Sequence, residues 1–229
     1  MKKLLLLILV AVAMIAAPMS AIAAPTPTLQ YTDSLSMLIT NWDRDLTIQK
    51  FDPSYGTLLS IDFALTGNVQ GTAKYESLDN APATITLQLS SMVQLQRPDN
   101  TLLVLALPVA NVVEGASAFD GLNDFLGTSG SIFTDLSNTA IVSYSSSSAS
   151  DLALFTGTGN ILLGVAASGA SNGSGAGNLI TQFNTDASAS ATVTYNYAET
   201  PPPVVPEPIS SALFIIGAAT MGFRRFRKK

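Results

Sequence analysis

The 229-residue sequence contains no histidine and no cysteine, and it has a single tryptophan, Trp42. The lack of histidine excludes Ser-His-Asp and Cys-His catalysis, histidine-ligated zinc and the usual general base near neutral pH. The lack of cysteine excludes a disulfide framework, so packing alone must hold the core together. These absences argue against catalysis, and we expect that the protein is not an enzyme.

Positive charge is scarce outside the two ends of the chain. Seven of the eleven Lys and Arg residues are Lys2, Lys3 and the five cations after Phe223, whereas fifteen of the sixteen acidic residues precede Pro206. The region between the ends therefore has four cations against fifteen acids, a formal charge of −11. It has no basic patch that could bind nucleic acid, and it would repel an anionic membrane surface or an acidic polysaccharide.

The N-terminus has the pattern of a secretory signal peptide over residues 1–23. Lys2 and Lys3 precede an apolar stretch over residues 4–17, and Ala21 and Ala23 frame a signal peptidase site. We predict cleavage after Ala23, because cleavage one residue later would leave a proline directly after the scissile bond. The alternative is an uncleaved membrane helix, but a polar turn and the alanine site follow the apolar stretch too soon for one.

The C-terminus combines a proline-rich linker over residues 199–208, an apolar segment over residues 209–223 and a basic tail over residues 224–229. Successive prolines favour a stiff, extended linker. The apolar segment predicts a transmembrane helix, although a helix of about 22 Å is short for a hydrocarbon core of about 30 Å. Because excess Lys and Arg mark the cytoplasmic side, we expect residues 24–198 to be an exported domain, held at first to the inner membrane.

Period-two alternation in residues 24–198 indicates half-buried strands. The apolar faces of these predicted strands comprise Leu46, Ile48, Leu59, Ile61, Phe63, Leu65, Ile85, Leu87, Leu89, Val93, Leu95, Ala191, Val193, Tyr195 and Tyr197. Residues 102–107 are apolar on both faces, as expected of a central or tightly covered strand.

Turn signals separate these segments. Pro98-Asp99-Asn100 predicts a hairpin turn, and Gly67-Asn68, Asp79-Asn80 and residues 157–160 predict further turns. Residues 118–125 are predicted to form a helical turn, and residues 145–148 and 167–178 to form loops. The pattern favours an all-β antiparallel sandwich of jelly-roll or immunoglobulin-like type, flanked by the signal-peptide helix and the transmembrane helix.

Two acidic clusters are candidate cation sites. Asp120, Asn123 and Asp124 surround a glycine and are faintly calcium-like, although the sequence lacks the closing Glu of a calcium loop. The alternative is a solvated acidic loop. Asp33, Asp43 and Asp45 form a second acidic group near Trp42, with the same alternative.

Aromatic residues offer a possible sugar-binding surface. Trp42, Tyr31 and Tyr55 could stack on a sugar ring, but a sandwich normally buries its only tryptophan, so we predict that Trp42 belongs to the core. A pair of carboxylates could support glycoside hydrolysis. With fourteen acids in the domain, however, the sequence singles out no pair.

Several strings resemble the choice-of-anchor E domain family. They are Phe51-Asp52-Pro53-Ser54-Tyr55-Gly56-Thr57-Leu58, Phe119-Asp120-Gly121, residues 151–159, residues 175–179 and the final strand over residues 191–197. The resemblance covers most of residues 46–197. It implies a surface or matrix protein of unknown molecular activity, with no catalytic residue to carry over.

The tail resembles the PEP-CTERM sorting signal of exopolysaccharide-producing Gram-negative bacteria. Pro206, Glu207 and Pro208 match its recognition motif, and Arg224 and Arg225 match its basic stop. The resemblance implies that an exosortase cleaves the chain at or near this motif. The protein would then reach the cell envelope, the outer surface or the extracellular matrix.

Three hypotheses follow from the sequence. The first is a non-enzymatic structural or adhesive component of an exopolysaccharide or biofilm matrix. The second is a carbohydrate-binding module for the host's own exopolysaccharide. The third and least favoured is a hydrolase that uses two carboxylates.

Overall fold

A computed structural model describes residues 26–200 of the chain. The predicted signal peptide, the sorting motif, the apolar segment over residues 209–223 and the basic tail lie outside the described residues. In chain order the elements are β1 (Thr28–Ile39), β2 (Trp42–Gln49), a 3-10 turn (Pro53–Tyr55), β3 (Gly56–Ser77), β4 (Ala83–Gln96), β5 (Leu102–Ala106), β6 (Val109–Ala116), β7 (Gly130–Ser146), α1 (Ala149–Phe155), β8 (Asn160–Gly169), β9 (Asn172–Ser174) and β10 (Leu179–Glu199).

The strands form two antiparallel sheets that pack face to face, which confirms the predicted all-β sandwich. The first sheet has the order β1-β10-β3-β7. The second has the order β2-β8-β4-β5, and β6 and β9 also pair with β4. Within residues 26–200, no helix is long and apolar enough to cross a membrane.

The first sheet is built on two very long strands. β3 has 22 residues and β10 has 21, and they pair along almost their whole length. At about 3.3 Å per residue, β3 spans about 70 Å. The turn predicted at Gly67-Asn68 is wrong, because both residues lie in the middle of β3. A Cβ on Gly67 would come within 3.1 Å of Val93 in the facing sheet, so this glycine permits close packing of the sheets.

A β-bulge changes one predicted face. Ile61, Phe63 and Leu65 are fully buried, as predicted, but Leu59 is 47% exposed and Leu58 is buried instead. The cause is a register shift opposite the Asn196/Tyr197 step of β10, where β3 has one extra residue. Because side chains alternate with period two, one extra residue moves the next side chain to the other face.

β4 keeps one inward-facing row throughout its length, as predicted. Ile85, Leu87, Leu89, Val93 and Leu95 are all at most 1% exposed. The predicted hairpin after β4 is confirmed by the hydrogen bonds from the Arg97 amide to the Thr101 carbonyl, 2.9 Å, and from the Asn100 amide to the Arg97 carbonyl, 2.9 Å.

Residues 102–107 do not form a central strand, but the alternative of a covered strand holds for its middle, where Leu103, Val104 and Ala106 are buried. β5 lies at an edge of the second sheet and pairs only with β4 among the described strands. Leu102 and Leu107 are 50% and 56% exposed. A run that is apolar on both faces can therefore also mark an edge strand whose outer residues remain in solvent.

The loops contain more regular structure than the sequence predicts. Residues 118–125 form bends and no helical turn, whereas an unpredicted helix, α1, starts at the N-cap Ser148. The predicted loop over residues 145–148 begins inside β7, and that over residues 167–178 contains the end of β8 and all of β9. Serine and glycine runs hide these elements, since both residue types favour turns.

The main core lies between the two sheets at the end where α1 covers them. Its largest buried side chains include Phe51, Phe63, Phe155 and Tyr195, each 0% exposed. The Phe63 and Phe155 rings meet edge to face at 5.2 Å. Such aromatic pairs stabilise a core by about 1 kcal/mol beyond the burial of their area.

Candidate functional site

A shallow groove lies where β2, β8 and β4 run side by side in the second sheet. Its volume is about 350 Å³, near the lower limit for small-molecule sites. It is lined by Asn41, Trp42, Asp43, Met92, Gln94, Ala166, Ala167 and Ser168.

The strand pattern explains why a groove forms there. The outward-facing residues of β8 near the groove are Gly164, Ala166 and Ser168, all small. In the strand register Ala166 lies between Asp43 of β2 and Gln94 of β4. A row of small side chains between two rows of longer ones leaves a furrow along the central strand.

The polar side chains that line the groove are suited to form hydrogen bonds with hydroxyl groups of a ligand. Gln94 accepts a hydrogen bond from Gln96 Nε2 at 3.2 Å, and its own Nε2 lies 3.6 Å from Met92 Sδ, a weak acceptor. Asn41 Oδ1 accepts from the amide of Gly169 at 3.0 Å. Amides, a hydroxyl and one carboxylate can exchange hydrogen bonds with a sugar. Among the lining residues, Asp43 is the one carboxylate, so the groove lacks the pair that glycoside hydrolysis requires.

Trp42 is a core residue, as predicted. It is 7% exposed and packs in the main cluster, so its indole face is not available for stacking on a sugar. Its Nε1 is buried and has no hydrogen-bond partner among the described residues. Tyr31 is half-buried beside Tyr195, with ring centroids 6.0 Å apart. Tyr55 is 50% exposed but packs against Phe51, which is not a groove residue.

The calcium-like residues lie together in the loop between β6 and β7. Asp120 Oδ1 accepts from the Leu122 amide at 3.0 Å, and Asp124 Oδ1 accepts from the Leu126 amide at 2.9 Å. The Leu122 amide is the main reason why the pKa of the Asp120 carboxyl is lowered. Asn123 is exposed in the same loop. These carboxylates close turns of the loop, and calcium binding there stays a prediction.

The three aspartates of the second acidic group lie in different surroundings. Asp33 Oδ2 accepts from the Thr47 amide at 2.7 Å, which ties β1 to the edge of β2. Asp43 lines the groove, and Asp45 is exposed further along β2. Across residues 26–200 there is no group of three or more His, Cys, Asp or Glu residues that could hold a metal ion.

Three of the five recurring strings meet at one end of the sandwich. The Phe51 amide donates to the Phe155 carbonyl and the Gly157 amide donates to the Phe51 carbonyl, each at 2.9 Å. The Phe51 ring lies 5.9 Å from Tyr195 and 5.2 Å from Tyr197. These strings therefore build an aromatic cluster, which explains their composition by packing.

The other two strings meet around Asp79, near the opposite end of β3. Asp79 accepts from the amides of Gly177 and Asn178 at 2.7 and 2.9 Å, and its carbonyl accepts from the Phe119 amide at 2.8 Å. Nearby, the buried carboxylate of Glu76 accepts from Ser129 Oγ at 2.6 Å and from the Phe125 amide at 2.7 Å. Acidic side chains thus organise the loops at this end.

An ion pair that sequence reasoning missed lies at the start of α1. Arg97 Nε and Nη2 donate to the two carboxylate oxygens of Asp151 at 2.7 and 3.0 Å, and Ser146 Oγ donates to Asp151 at 2.6 Å. The Asp151 side chain is 3% exposed. Arg97, then Ser146, lower the pKa of this carboxyl to about 2 against the opposing effect of burial. The sequence offered one signal for this pair. Only four cations lie between the two ends of the chain, so each of them is a candidate partner for a buried acid.

Comparison with known proteins identifies no family. No protein-family model and no curated protein matches the chain. Among solved structures, that of the infectious bursal disease virus Gx strain is 11% identical and the match covers 77% of this chain and 36% of that one, with a TM-score of 0.19. The VP2 subviral particle of infectious bursal disease virus is 9% identical, with 76% and 36% covered and a TM-score of 0.18. The chain spans little more than a third of the length of these proteins, and TM-scores this low support no conclusion about its activity.

Proposed function

We propose that the chain is an exported, non-enzymatic structural component of a cell-surface or extracellular polysaccharide matrix. The observation that carries this proposal is the arrangement of its sequence: an acidic β domain without histidine or cysteine stands between a signal-peptide pattern and a PEP-CTERM-like tail. A matrix protein of this kind acts through its surface and shape, so it needs a stable scaffold rather than reactive groups.

The described domain is consistent with this role. Its two long central strands give an elongated body, and its buried acids are engaged with amides, hydroxyls or Arg97. The domain resembles the choice-of-anchor E family in its recurring strings, and those strings support packing. Within the sandwich class, jelly-roll or immunoglobulin-like topology stays part of the proposal.

Mass spectrometry of the protein from its native host tests the predicted route. Signal peptidase should leave Ala24 as the first residue, and exosortase cleavage at or near Pro206-Glu207-Pro208 should remove Arg224 and Arg225. The processed protein should be found outside the inner membrane. If most molecules keep residues 226–229, the tail is a plain membrane anchor and the proposed route is wrong.

A carbohydrate-binding module is the second candidate, and the groove is the observation that favours it. Asn41, Asp43, Gln94 and Ser168 offer polar atoms around a floor of small residues. The burial of Trp42 weighs against it, because many sugar sites stack rings on an exposed aromatic residue.

Titration of the protein with polysaccharide extracted from its host, with and without calcium, separates the two candidates. A binding module predicts saturable binding that is lost in Gln94→Ala and in the groove-filling Ala166→Leu. Val113→Ala on β6, where Val113 is 66% exposed, serves as a matched control that should keep full binding. Binding that no groove variant changes would remove this candidate.

A further inference from the structure

The two outer strands of the first sheet form long free edges within the described part of the chain. β1 has 12 residues and pairs only with β10, while β7 has 17 residues and pairs only with β3. The outward edges of both strands present backbone N–H and C=O groups that no described strand satisfies. Such an edge is a template for another strand.

Both edges are almost free of charge on a strongly acidic domain. β1 contains one charged residue, Asp33, and β7 contains one, Asp135. The Asp33 carboxylate is already bound to the Thr47 amide. By contrast, β2 at the edge of the second sheet has Asp43, Arg44 and Asp45 within eight residues. Charged residues block strand pairing at β2, whereas β1 and β7 lack this protection.

Apolar side chains are exposed along the same edges. On β7, Ile141, Val142 and Tyr144 are 68%, 37% and 43% exposed. At the end of β1, Leu38 and Ile39 are 39% and 71% exposed. A continuous uncharged run from residue 136 to residue 150 includes the exposed part of β7. Exposed apolar groups beside a free ladder favour burial by a strand of another molecule.

The order and sense of the strands make the two edges complementary. Each neighbouring pair in β1-β10-β3-β7 is antiparallel, so β1 and β7 run in opposite directions. A second molecule in the same orientation therefore presents its β1 antiparallel to β7 of the first. Pairing of this kind continues the sheet from one molecule to the next. Because it joins the β7 edge of one molecule to the β1 edge of another, each added molecule leaves a free edge, and the assembly can grow without closing into a ring.

Bulges define which parts of the edges can pair. β1 has a register shift between Leu35 and Leu38, and β7 has one at Thr134 and Asp135, which lie opposite the single residue Thr72 of β3. The unbroken segments are residues 28–35 of β1 and residues 136–146 of β7. The shorter of these segments limits the ladder between molecules to about eight residues, about 27 Å.

We propose that the occupant of the β7 edge is β1 of a second copy of this chain, so that the first sheets join into a chain of molecules. The inference rests on the edges alone and does not depend on the proposed function. Because each domain has an excess of acids, the copies repel one another at long range. Association should therefore strengthen as salt rises and screens that repulsion, the opposite of pairing through opposite charges.

Cysteine cross-linking of the full chain tests the pairing directly, because the chain has no cysteine of its own. One variant has Gln30→Cys on the outer face of β1, and three others have Thr139→Cys, Ile141→Cys or Ser143→Cys on the outer face of β7. Mixing the β1 variant with each β7 variant should give a disulfide-linked dimer with at least one of them. Val113→Cys on β6 is the control and should give no dimer with Gln30→Cys.

Each other outcome overturns the proposal. Dimers of a β7 variant with itself, without mixed dimers, would mean that β7 pairs with β7. Mixed dimers no more abundant than with Val113→Cys would mean that a copy does not occupy this edge. Ile141→Lys should abolish the mixed dimer between Gln30→Cys and Ser143→Cys, whereas Val113→Lys should leave it unchanged. Fluorescence of the buried Trp42 verifies that each variant is folded.

Discussion

The Arg97–Asp151 pair predicts a specific pH dependence of stability. The pKa of the Asp151 carboxyl falls from its ordinary value of 3.8 to about 2, chiefly because Arg97 donates two hydrogen bonds to it. The side chain is 3% exposed, so solvent screens the interaction little. The lowering of this pKa corresponds to about 2 kcal/mol of folding free energy.

The sign follows from the direction of the change. Because the folded-state pKa lies below the unfolded value, the contribution of Asp151 is complete above the unfolded pKa. It is lost as the pH falls from about 5 through the folded-state pKa of about 2. Asp151→Asn removes the titrating group and leaves Arg97 facing a neutral amide. The variant should therefore be less stable than the parent at neutral pH. The gap between their unfolding free energies should shrink in acid.

Urea unfolding at a series of pH values measures this gap, with the single buried Trp42 as the fluorescent probe. The difference in unfolding free energy between parent and Asp151→Asn should narrow by about 2 kcal/mol between about pH 6 and about pH 1.5. Asp99→Asn is the matched control. Asp99 also has a lowered pKa, chiefly through a hydrogen bond from Thr101, but it is exposed, so its gap should be much smaller. A gap for Asp151→Asn that is the same at every pH would refute the reasoning.

Three further destabilising substitutions, one of them with a matched control, test the packing at the two ends of the sandwich. Gly56→Ala should destabilise the protein by about 3 kcal/mol or more, because φ is +145° and the added Cβ would meet a β10 carbonyl; Gly115→Ala, with nothing within 4 Å, should change the melting temperature little. Tyr195→Phe removes a 2.8 Å hydrogen bond to the Gln49 carbonyl and should cost about 1 kcal/mol in urea unfolding. Asp79→Ala frees two amides and should increase hydrogen exchange in residues 175–179 while the centre of β3 stays protected; unchanged exchange there would contradict its assigned role.

Period-two alternation of apolar residues predicted the sandwich, because each sheet buries one face against the other and every strand contributes to that face. The rows in β4 and in residues 191–197 of β10 could be read residue by residue, since one face of each points inward there without interruption. The error at Leu59 has a local cause, a one-residue bulge that nothing in the apolar pattern of β3 marks. Gly67 was misread because glycine serves both turns and close packing, and only the facing sheet distinguishes them.

The candidate groove could not be predicted from the sequence. Its lining residues come from three strands separated by many residues, and they come together only through the register that sets Asp43, Ala166 and Gln94 side by side. The ion pair was missed for the same reason, since Arg97 and Asp151 are 54 residues apart. The burial of Trp42, by contrast, could be predicted, because a sandwich normally buries its only tryptophan.

The most direct test of the central claim is the shear stiffness of the extracellular matrix produced by the native host, measured with and without this protein. A structural component predicts a softer matrix when the protein is deleted, restored by the parent chain and by the groove variant Ala166→Leu. A chain in which Pro206, Glu207 and Pro208 are replaced by alanine should fail to restore it. Unchanged stiffness after deletion would contradict a structural role, and recovery by the parent but not by Ala166→Leu would assign the effect to sugar binding.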